Sequence, residues 1–350
     1  MKKISVNASK KYDVIVEKGA LDRIGEYAKG IGISGKALVV SDSNVAPIYM
    51  ERVKASLEKA GMSVFEFVFP SGEASKNAKT YLAILNFLAE NHFSRKDTLF
   101  ALGGGVTGDL TGFSAATYMR GVRFVQIPTS LLAAVDSSVG GKTGIDLEQG
   151  KNLAGAFCQP AMVVFDPDVL STLPEEYFSD GMAEVIKYAV IRGREIDRLL
   201  MEDYRKNLEE IIIRSIEIKR DVVEADEFEG GIRKILNFGH TAGHAIETEA
   251  EYTLSHGKCV AMGMYIVTKA WENRGLCKKG TCAILKKMLD LFSLDTKCPY
   301  SPETLLKRAE SDKKADDEGV SLVVPLGMGE CDVVKISMDE FLNVLKDGLK

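Results

Sequence analysis

Three of the four histidines in this sequence, His240, His244 and His256, fall close together. Imidazole nitrogen binds zinc and similar ions, and a catalytic zinc site takes about three protein ligands and keeps one position open. His240 and His244 have the i, i+4 spacing of a metallopeptidase pair, but Thr241 stands where that motif has its glutamate. The cluster predicts a metal site without peptidase chemistry, and any two of the three histidines could be its ligands.

Polar residues continue this cluster toward the N-terminus. Arg233, Asn237, His240 and His244 follow one another at steps of four, three and four. On one continuous helix this spacing places them on a single face, and the glycines between them let another element come close. A buried polar face needs partners, which favours a functional site.

A third metal ligand should be a carboxylate or another histidine. Glu184 is a candidate because it lies in an otherwise apolar helical segment, with Lys187 at i+3 on the same face. The alternative is an ordinary surface ion pair. His92 precedes Phe93 at the end of a predicted helix, and we expect it at the surface.

The segment Gly103–Asp109 reads GGGVTGD and fits G-x-G-x-x-G after a predicted strand and before a predicted helix. Glycines let the backbone approach a pyrophosphate, and the helix start offers free N–H groups. Two features depart from the dinucleotide fingerprint: the loop follows the third strand of the alternation, and no acidic residue stands about 20 positions later. Asp42, at the end of an earlier strand and followed by Asn44, is an alternative acidic partner. The competing interpretation is a tight turn that serves strand–helix packing.

Two lysines, Lys142 and Lys151, stand among glycines and can approach an anion closely. Gly141-Lys142-Thr143 matches the end of a P-loop, but Asp136 occupies the position of its first glycine, which disfavours ATP binding. The segment predicts contact with a smaller anionic ligand, and the alternative is a pair of solvated loop lysines.

Hydrophobic periodicity predicts an α/β N-terminal nucleotide-binding domain with a parallel sheet, over residues 1–172, and a mainly α-helical C-terminal domain over 173–350. The first domain starts with a hairpin and alternates strands with helices: strands at 3–7, 12–17, 36–41, 63–69, 97–102 and 122–127, and helices ending near residue 60 and at 77–91. The second contains helices at 175–192, 194–218, 237–249, 258–274 and 281–292, then a hairpin of 321–325 with 333–336.

Composition excludes several classes of protein. The net charge of −5 argues against a nucleic-acid partner. No apolar run reaches the roughly 18 residues of a membrane span, and the N-terminus has no apolar core of a signal peptide. None of the six cysteines forms a Cys-x-x-Cys pair. We therefore expect reduced thiols and a cytoplasmic protein.

Taken together, these motifs resemble the 3-dehydroquinate synthases. The matching stretches are GGGVTGDLTGFSAATYMRG (103–121), IPTSLLAAVDSSVGGKTGID (127–146), GKNLAGAF (150–157), GMAEVIKY (181–188), LNFGHTAGHAIE (236–247) and HGKCVAMGM (256–264), with residues 41–44 and 72–76 also fitting. The resemblance implies a homodimeric lyase that uses NAD and a divalent metal, zinc or else cobalt. Its implied reaction converts 3-deoxy-D-arabino-heptulosonate 7-phosphate to 3-dehydroquinate and phosphate. The implied steps are transient oxidation, phosphate elimination, re-reduction and intramolecular aldol closure.

The resemblance also implies residue roles. Glu184, His240 and His256 would hold the metal. The NAD site would comprise Asp42, Asn44, Glu73, Lys76, Gly104, Gly105, Val106, Asp109, Thr129, Ser130, Asp136 and Lys151. Substrate would contact Lys142, Asn152, Lys187, Lys219, Arg233, Asn237, His244 and either Lys313 or Lys314, with Arg120 from the neighbouring subunit. Within this set, Lys142, Lys187, Arg233, Asn237 and His244 would act in catalysis, with His244 moving a proton.

Two departures from the family pattern are Ser130, where a second threonine is common, and Lys258, where an acidic residue is common. Three alternatives remain: another sugar-phosphate cyclase, a metal-dependent polyol or alcohol dehydrogenase, and a non-catalytic NAD-binding module. The cations favour the carboxylate-bearing heptulosonate, a dehydrogenase would accumulate NADH, and the intact metal ligands disfavour the module.

Overall fold

A computed structural model describes residues 1–312 and 319–350. Eleven strands lie within these residues: β1 Lys2–Asn7, β2 Lys11–Val16, β3 Lys36–Asp42, β4 Ser63–Phe69, β5 Thr98–Gly103, β6 Arg123–Pro128, β7 Lys142–Leu147, β8 Gly150–Phe157, β9 Met162–Phe165, β10 Val320–Gly327 and β11 Glu330–Ile336. Eleven α-helices lie within the same residues: α1 Ile24–Gly30, α2 Ala46–Lys59, α3 Ala78–Glu90, α4 Gly105–Thr117, α5 Glu175–Ile191, α6 Arg194–Ala225, α7 His240–Glu249, α8 His256–Asn273, α9 Thr281–Asp290, α10 Pro302–Asp312 and α11 Met338–Leu349.

A seven-stranded sheet with the order β1-β2-β9-β6-β5-β3-β4 forms the centre of the N-terminal part. The pairs from β2 through β9, β6, β5 and β3 to β4 are all parallel, and only β1 runs antiparallel to its neighbour β2. The central strand β5 is buried along its whole length, as expected for a parallel sheet covered on both faces. Asp42, Gly103 and Pro128 therefore end three adjacent strands at the same carboxyl edge, where ligands bind in open α/β sheets.

The chain divides into two compact units. Unit 1 comprises Met1–Pro174 and Lys219–Glu227, and unit 2 comprises Glu175–Ile218 and Phe228–Lys350. The returning segment of unit 1 contains the end of α6 and the two residues after it, and its glutamates hold the turn of the β1–β2 hairpin. Asn7 donates its backbone N–H to Glu224 at 2.6 Å, and the Ser9 hydroxyl donates to Glu227 at 2.6 Å.

Unit 2 contains the helices α5, α7, α8, α9, α10 and α11, and the antiparallel β10–β11 hairpin. Helix α8 contacts α5, α7, α9 and α11, so it lies at the centre of this helical unit. Among the described residues, no helix is both long and apolar enough to cross a membrane.

The predicted fold class is confirmed: a mainly parallel sheet lies in the N-terminal part, and helices dominate the C-terminal part. The N-terminal hairpin, the strands through β6 and strand β10 occur within two residues of the predicted bounds, and β11 starts three residues earlier than predicted. Helix α6 continues to Ala225, beyond its predicted end at 218, and Asp203 interrupts it with an extended backbone.

One predicted helix starts three residues later than expected. Instead of a helix from Asn237, a short 3-10 helix covers Ile232–Asn237, and α7 starts at His240. Between them Phe238 is extended and Gly239 has a φ of 80° in the left-handed region. Arg233 and Asn237 therefore do not share a helical face with the histidines of α7, because the chain turns at Gly239.

The β7–β8 hairpin was not predicted. The segment around Lys142 and Lys151 was expected to be a glycine-rich loop. Instead, Lys142 pairs with Phe157 and Thr143 pairs with Ala156 in two antiparallel strands. A Cβ at Gly155 would lie 2.2 Å from the Thr143 carbonyl oxygen. Glycine here permits close approach of two backbones within a sheet.

Candidate functional site

Glu184, His240 and His256 converge from three helices of unit 2, namely α5, α7 and α8. The Nε2 atom of His240 lies 3.5 Å from Glu184 Oε1, and that of His256 lies 3.4 Å from the same oxygen. Ligand atoms of the three residues all lie within 4.8 Å of one another. Glu184 is 0% exposed. The alternative of a surface ion pair between Glu184 and Lys187 is therefore wrong, because both side chains are buried and in contact.

Close packing of glycines brings these helices together. A Cβ at Gly263 would lie 2.0 Å from the Gly239 carbonyl oxygen, and one at Gly243 would lie 3.0 Å from the Cys259 carbonyl oxygen. A Cβ at Gly257 would lie 2.5 Å from the Asp180 carbonyl oxygen on α5. The glycines therefore set the distances between the helices that carry the three converging side chains.

The far side of each converging imidazole faces an oxygen atom. His240 Nδ1 lies 3.1 Å from the Phe238 carbonyl oxygen, and His256 Nδ1 lies 3.7 Å from Glu247 Oε2. Asp180 accepts the Gly257 backbone N–H at 2.6 Å and so holds the first turn of α8, where His256 lies. An oxygen at Nδ1 favours the tautomer whose Nε2 lone pair is available to a metal.

Electrostatics favour a positive charge in this cluster. Burial lowers the pKa of His240 to about 3 despite Glu184, so its imidazole is neutral near pH 7. Burial also acts to lower the pKa of His256, but Glu184 and Glu247 outweigh it and raise that pKa to about 10. Buried carboxylates thus stabilise a positive charge beside them, which a divalent ion supplies.

The donor set fits a divalent metal. One carboxylate oxygen and two imidazole nitrogens form the three-ligand set of a catalytic zinc site, which leaves further positions open to a ligand. His244, Glu247 and His256 form a second such group, but His244 is exposed. The sequence alone left any two histidines as ligands, and the geometry at buried Glu184 favours His240 with His256.

The predicted substrate residues of unit 2 lie on the same elements or next to them. Lys187 is 1% exposed and contacts Glu184, and Arg233 is 2% exposed in the 3-10 helix before α7. Asn237 donates its amide to Glu229 Oε1 at 2.8 Å. The ring of His244 lies 5.4 Å from that of His240, centroid to centroid. The predicted Lys313 and Lys314 lie outside the described residues.

In unit 1 the glycines of the loop at residues 103–109 are of two kinds, according to what a side chain would meet there. A Cβ at Gly103 would lie 2.4 Å from Thr107 Oγ1, and one at Gly108 would lie 2.7 Å from Gln126 Oε1, so packing requires glycine there. At Gly104 and Gly105 the nearest atoms are Ser130 Oγ at 3.5 Å and Ser137 Oγ at 3.3 Å. Packing alone does not account for Gly104, and α4 starts here without a side-chain cap. This is the arrangement that admits a pyrophosphate.

The residues predicted to surround this loop lie at the same sheet edge. Asp42 accepts the Asn44 backbone N–H at 2.9 Å and the Thr107 hydroxyl at 3.4 Å. Thr129 donates its backbone N–H to the Gly103 carbonyl at 2.9 Å. The Val106 side chain packs against the hydrophobic core, which leaves its backbone as the part that can face a cofactor.

A buried lysine joins several other predicted residues. Lys76 is 5% exposed and lies 2.7 Å from Asp109 Oδ2 and 2.5 Å from Asn152 Oδ1. Glu73 lies 4.0 Å from Lys76 and 3.7 Å from Lys151. Burial acts to lower the pKa of Lys76, but Asp109 and Glu73 outweigh it and raise the pKa, so the ammonium stays charged.

Four further predicted residues lie elsewhere in unit 1. Lys219, 6% exposed, contacts the carboxylate of Asp136 and donates to its carbonyl at 2.6 Å. Lys142 is exposed at the start of β7. Arg120 is exposed with a φ of 67° next to Met119 with a φ of 50°, and Arg95 donates to the Met119 carbonyl at 3.0 Å.

Sequence reasoning missed Glu229, Glu247, Asp180 and Thr107. Asp180 stands four residues before Glu184 and directly precedes a matching stretch, which is a signal that could have drawn attention to it. Glu247 lies three residues after His244, on the same helical face. Glu229 has no distinguishing spacing, and only its hydrogen bond with Asn237 identifies it.

Comparison with known proteins assigns both parts of the chain. Residues 66–180 match the family model of the 3-dehydroquinate synthase N-terminal domain, and residues 181–315 match that of the 3-dehydroquinate synthase C-terminal domain. The chain belongs to the 3-dehydroquinate synthase family. A 3-dehydroquinate synthase of Lactococcus lactis subsp. cremoris (strain MG1363) is 44% identical over 344 residues, which cover 96% of this chain and 97% of the relative. The family resemblance of the sequence motifs is thereby confirmed.

Solved structures show the same fold at lower identity. A 2-deoxy-scyllo-inosose synthase complexed with carbaglucose-6-phosphate, NAD+ and Co2+ is 23% identical, with a TM-score of 0.89 over 99% of this chain and 100% of that one. A 2-epi-5-epi-valiolone synthase from Streptomyces hygroscopicus subsp. jinggangensis 5008, with NAD+ and Zn2+ bound, is 24% identical, with a TM-score of 0.87 over 99% of each chain. This chain therefore shares its fold with these two cyclases.

Proposed function

We propose that this chain catalyses the reaction of its family, the conversion of 3-deoxy-D-arabino-heptulosonate 7-phosphate to 3-dehydroquinate and phosphate. The family match over residues 66–315, with 44% identity to a relative of that name, supports this reaction over that of other cyclases. The convergence of Glu184, His240 and His256 is the structural observation that carries the proposal. It supplies the metal centre that a purely NAD-binding module would lack.

The proposed cofactors are NAD and a divalent metal, zinc or cobalt. The metal would be held by Glu184, His240 and His256, and the pyrophosphate of NAD by the turn at Gly104–Gly105. When bound, these groups supply polarisation of a substrate hydroxyl and reversible hydride transfer. The presence of NAD with Co2+ or Zn2+ in the two cyclases of the same fold supports this pairing.

We assign the remaining polar residues to substrate and proton handling. Arg233, Lys142 and Lys219 offer cations for a substrate that carries a carboxylate and a phosphate. Asn237 would orient hydroxyls, and the hydrogen bond that its amide donates to Glu229 limits the rotation of that amide. His244 is exposed beside the two half-buried histidines, and imidazole is a side chain that can accept and donate a proton in catalysis.

One assay tests the reaction. The protein is incubated with the heptulosonate phosphate, zinc and NAD at a small fraction of the substrate concentration, and phosphate and 3-dehydroquinate are quantified. We expect many turnovers per NAD, since the hydride returns to the product. Net NADH formation without phosphate release would instead indicate a polyol dehydrogenase. Turnover only of a sugar phosphate that lacks a carboxylate would indicate another cyclase.

We further propose a homodimer in which Arg120 serves the site of the partner copy. Arg120 is exposed in a turn where it and Met119 both have a left-handed backbone. Each such residue costs about 1–3 kcal/mol of conformational free energy, and a functional role for Arg120 would explain why that cost is tolerated. Large apolar side chains are exposed in the same unit, with Leu82 at 53%, Leu153 at 59% and Phe157 at 46%. Exposed apolar surface of this kind is typical of subunit contacts.

Mixing two inactive variants tests the shared site. The variants R120A and H256A are unfolded together, refolded together and assayed. If Arg120 acts across the interface, only the mixed dimer holds a complete site, and about a quarter of wild-type activity returns. Absence of recovery, with dimers confirmed by light scattering, would show that Arg120 acts within its own chain.

A cytoplasmic location is also part of the proposal. All six cysteines lie within the described residues and none forms a disulfide there, and stable disulfides are a feature of oxidising compartments. Fractionation of the source cells with an antibody against the chain tests this location. Recovery outside the cytoplasmic fraction would contradict it.

A further inference from the structure

The two ring nitrogens of His256 face two different carboxylates. Its Nε2 lies 3.4 Å from Glu184 Oε1, and its Nδ1 lies 3.7 Å from Glu247 Oε2. The two glutamates come from different helices, α5 and α7, so the imidazole at the start of α8 is held between them. A separation of 3.7 Å is an ion-pair distance, which a small rotation of either side chain shortens to a hydrogen bond.

His240 shows the same division between its two nitrogens. Its Nδ1 lies 3.1 Å from the Phe238 carbonyl oxygen, while its Nε2 lies 3.5 Å from Glu184 Oε1. In both residues Nδ1 faces an oxygen acceptor and Nε2 faces the proposed metal ligand Glu184. For His240 the acceptor is part of the backbone, whereas for His256 it is the Glu247 side chain.

The burial of Glu247 indicates a specific role. Glu247 is 5% exposed, and its chain neighbours Ala245 and Ile246 on α7 are 3% and 0% exposed. A carboxylate in such surroundings loses hydration and persists only where charged or hydrogen-bonded partners compensate. Glu249, two residues later on the same helix, instead pairs with Arg308 at 2.6 Å and keeps 23% of its side chain exposed.

We propose that Glu247 is a positioning residue for the metal centre. It holds His256 in the tautomer that carries its proton on Nδ1, and so directs the Nε2 lone pair at the ion between Glu184 and His240. Carboxylates in this relation to a metal-bound histidine orient the ring and raise its basicity. The inference rests on the metal site proposed above, and it adds a residue outside the three ligands.

Zinc affinity is the direct test. The apo forms of wild type, E247A, E247Q and E249Q are titrated with zinc against a chromophoric chelator. Loss of such a partner typically weakens metal binding about 10–100-fold, which we expect for E247A. E247Q should lose less, because its amide oxygen still accepts from Nδ1, and E249Q should match the wild type. Equal affinities of E247A and E249Q would overturn the proposal.

A spectroscopic measurement on the wild type tests the tautomer of His256 directly, without relying on a variant that has to fold. In the zinc-loaded wild type, 15N-labelled histidine spectra should show His256 with a protonated Nδ1 and a metal-bound Nε2. E247Q should shift the Nδ1 resonance, whereas E249Q should not. An unprotonated Nδ1 in the loaded wild type would contradict the role of Glu247.

The variant H256A separates failure of this inference from failure of the metal site. If H256A binds zinc as the wild type does, the proposed ligand set itself is wrong. If H256A loses zinc while E247A retains full affinity, the ligand set stands and only the role of Glu247 is refuted.

Discussion

Gly263 on α8 lies directly against Gly239, the left-handed residue that immediately precedes α7, and a Cβ at position 263 would lie 2.0 Å from the Gly239 carbonyl oxygen. Backbone therefore contacts backbone at this point, and no flexible side chain can yield. The spacing between His240 and His256 depends on this contact, because each residue opens one of the two helices.

We expect G263A to push α7 and α8 apart and to cost about 1–3 kcal/mol of stability, as overpacking does. Zinc affinity should fall together with stability, since the two ligand histidines separate. The control is G280A, in the turn before α9, where an added Cβ meets nothing within 4 Å, although its φ of 92° adds strain. Loss of stability in G263A with unchanged zinc affinity would show that this contact does not set the ligand spacing.

Metal binding should stabilise unit 2. A ligand that binds only the folded state at 100 times its Kd adds about 2.7 kcal/mol to the free energy of unfolding. Trp271, the single tryptophan, lies in α8 and reports on this unit during urea unfolding. Zinc should raise the midpoint in the wild type and in H92A, whose histidine is exposed in unit 1, but not in H256A. A zinc effect that persists in H256A would contradict the ligand assignment.

Removing the Lys76 ammonium should destabilise unit 1. In K76M the Asp109 carboxylate, 18% exposed, loses its partner at 2.7 Å, and breaking a buried ion pair in this way costs about 3 kcal/mol. The double variant K76M/D109L should recover part of the loss, because it leaves no unpaired charge. Urea unfolding followed by circular dichroism measures both. A K76M protein as stable as the wild type would show that the ion pair between Lys76 and Asp109 does not contribute to the stability of unit 1.

Cys331 should resist alkylation well above neutral pH. Burial disfavours the thiolate and raises the pKa of Cys331 to about 11, so the reactive form appears only at higher pH. At pH 8 roughly one thiol in a thousand is ionised, by the difference between pH and pKa. Iodoacetamide labelling followed by peptide mass spectrometry should be far slower in the folded protein than in urea. Equal rates would mean that Cys331 is not protected by burial.

The sequence was sufficient for the fold class and for most elements because apolar periodicity reports burial directly. It was not sufficient for the β7–β8 hairpin. Residues Gly150–Phe157 are mostly exposed or half-buried, and glycines replace the β-branched residues that usually mark a strand. What defines this strand is the close approach of Gly155 to Thr143, a tertiary relation.

The metal centre was predictable in part. The concentration of histidines indicated an ion, but spacing alone could not choose between His244 and His256. That choice depends on which Nε2 atoms reach the buried oxygen of Glu184, and the turn at Gly239 decides it. The same turn separates Arg233 and Asn237 from α7, which a helical reading of their spacing could not anticipate.

The end of α6 has a consequence for the order in which the chain is made. Residues Lys219–Glu227 belong to unit 1, and Glu224 and Glu227 hold the hairpin turn at Asn7 and Ser9. A ribosome that has just finished Pro174 has therefore not yet supplied the last piece of the nucleotide-binding unit. Roughly a few seconds of further synthesis must pass before the carboxylates for the first hairpin emerge. A fragment that ends at residue 174 would lack this segment, so the first half of the chain does not contain the whole of unit 1.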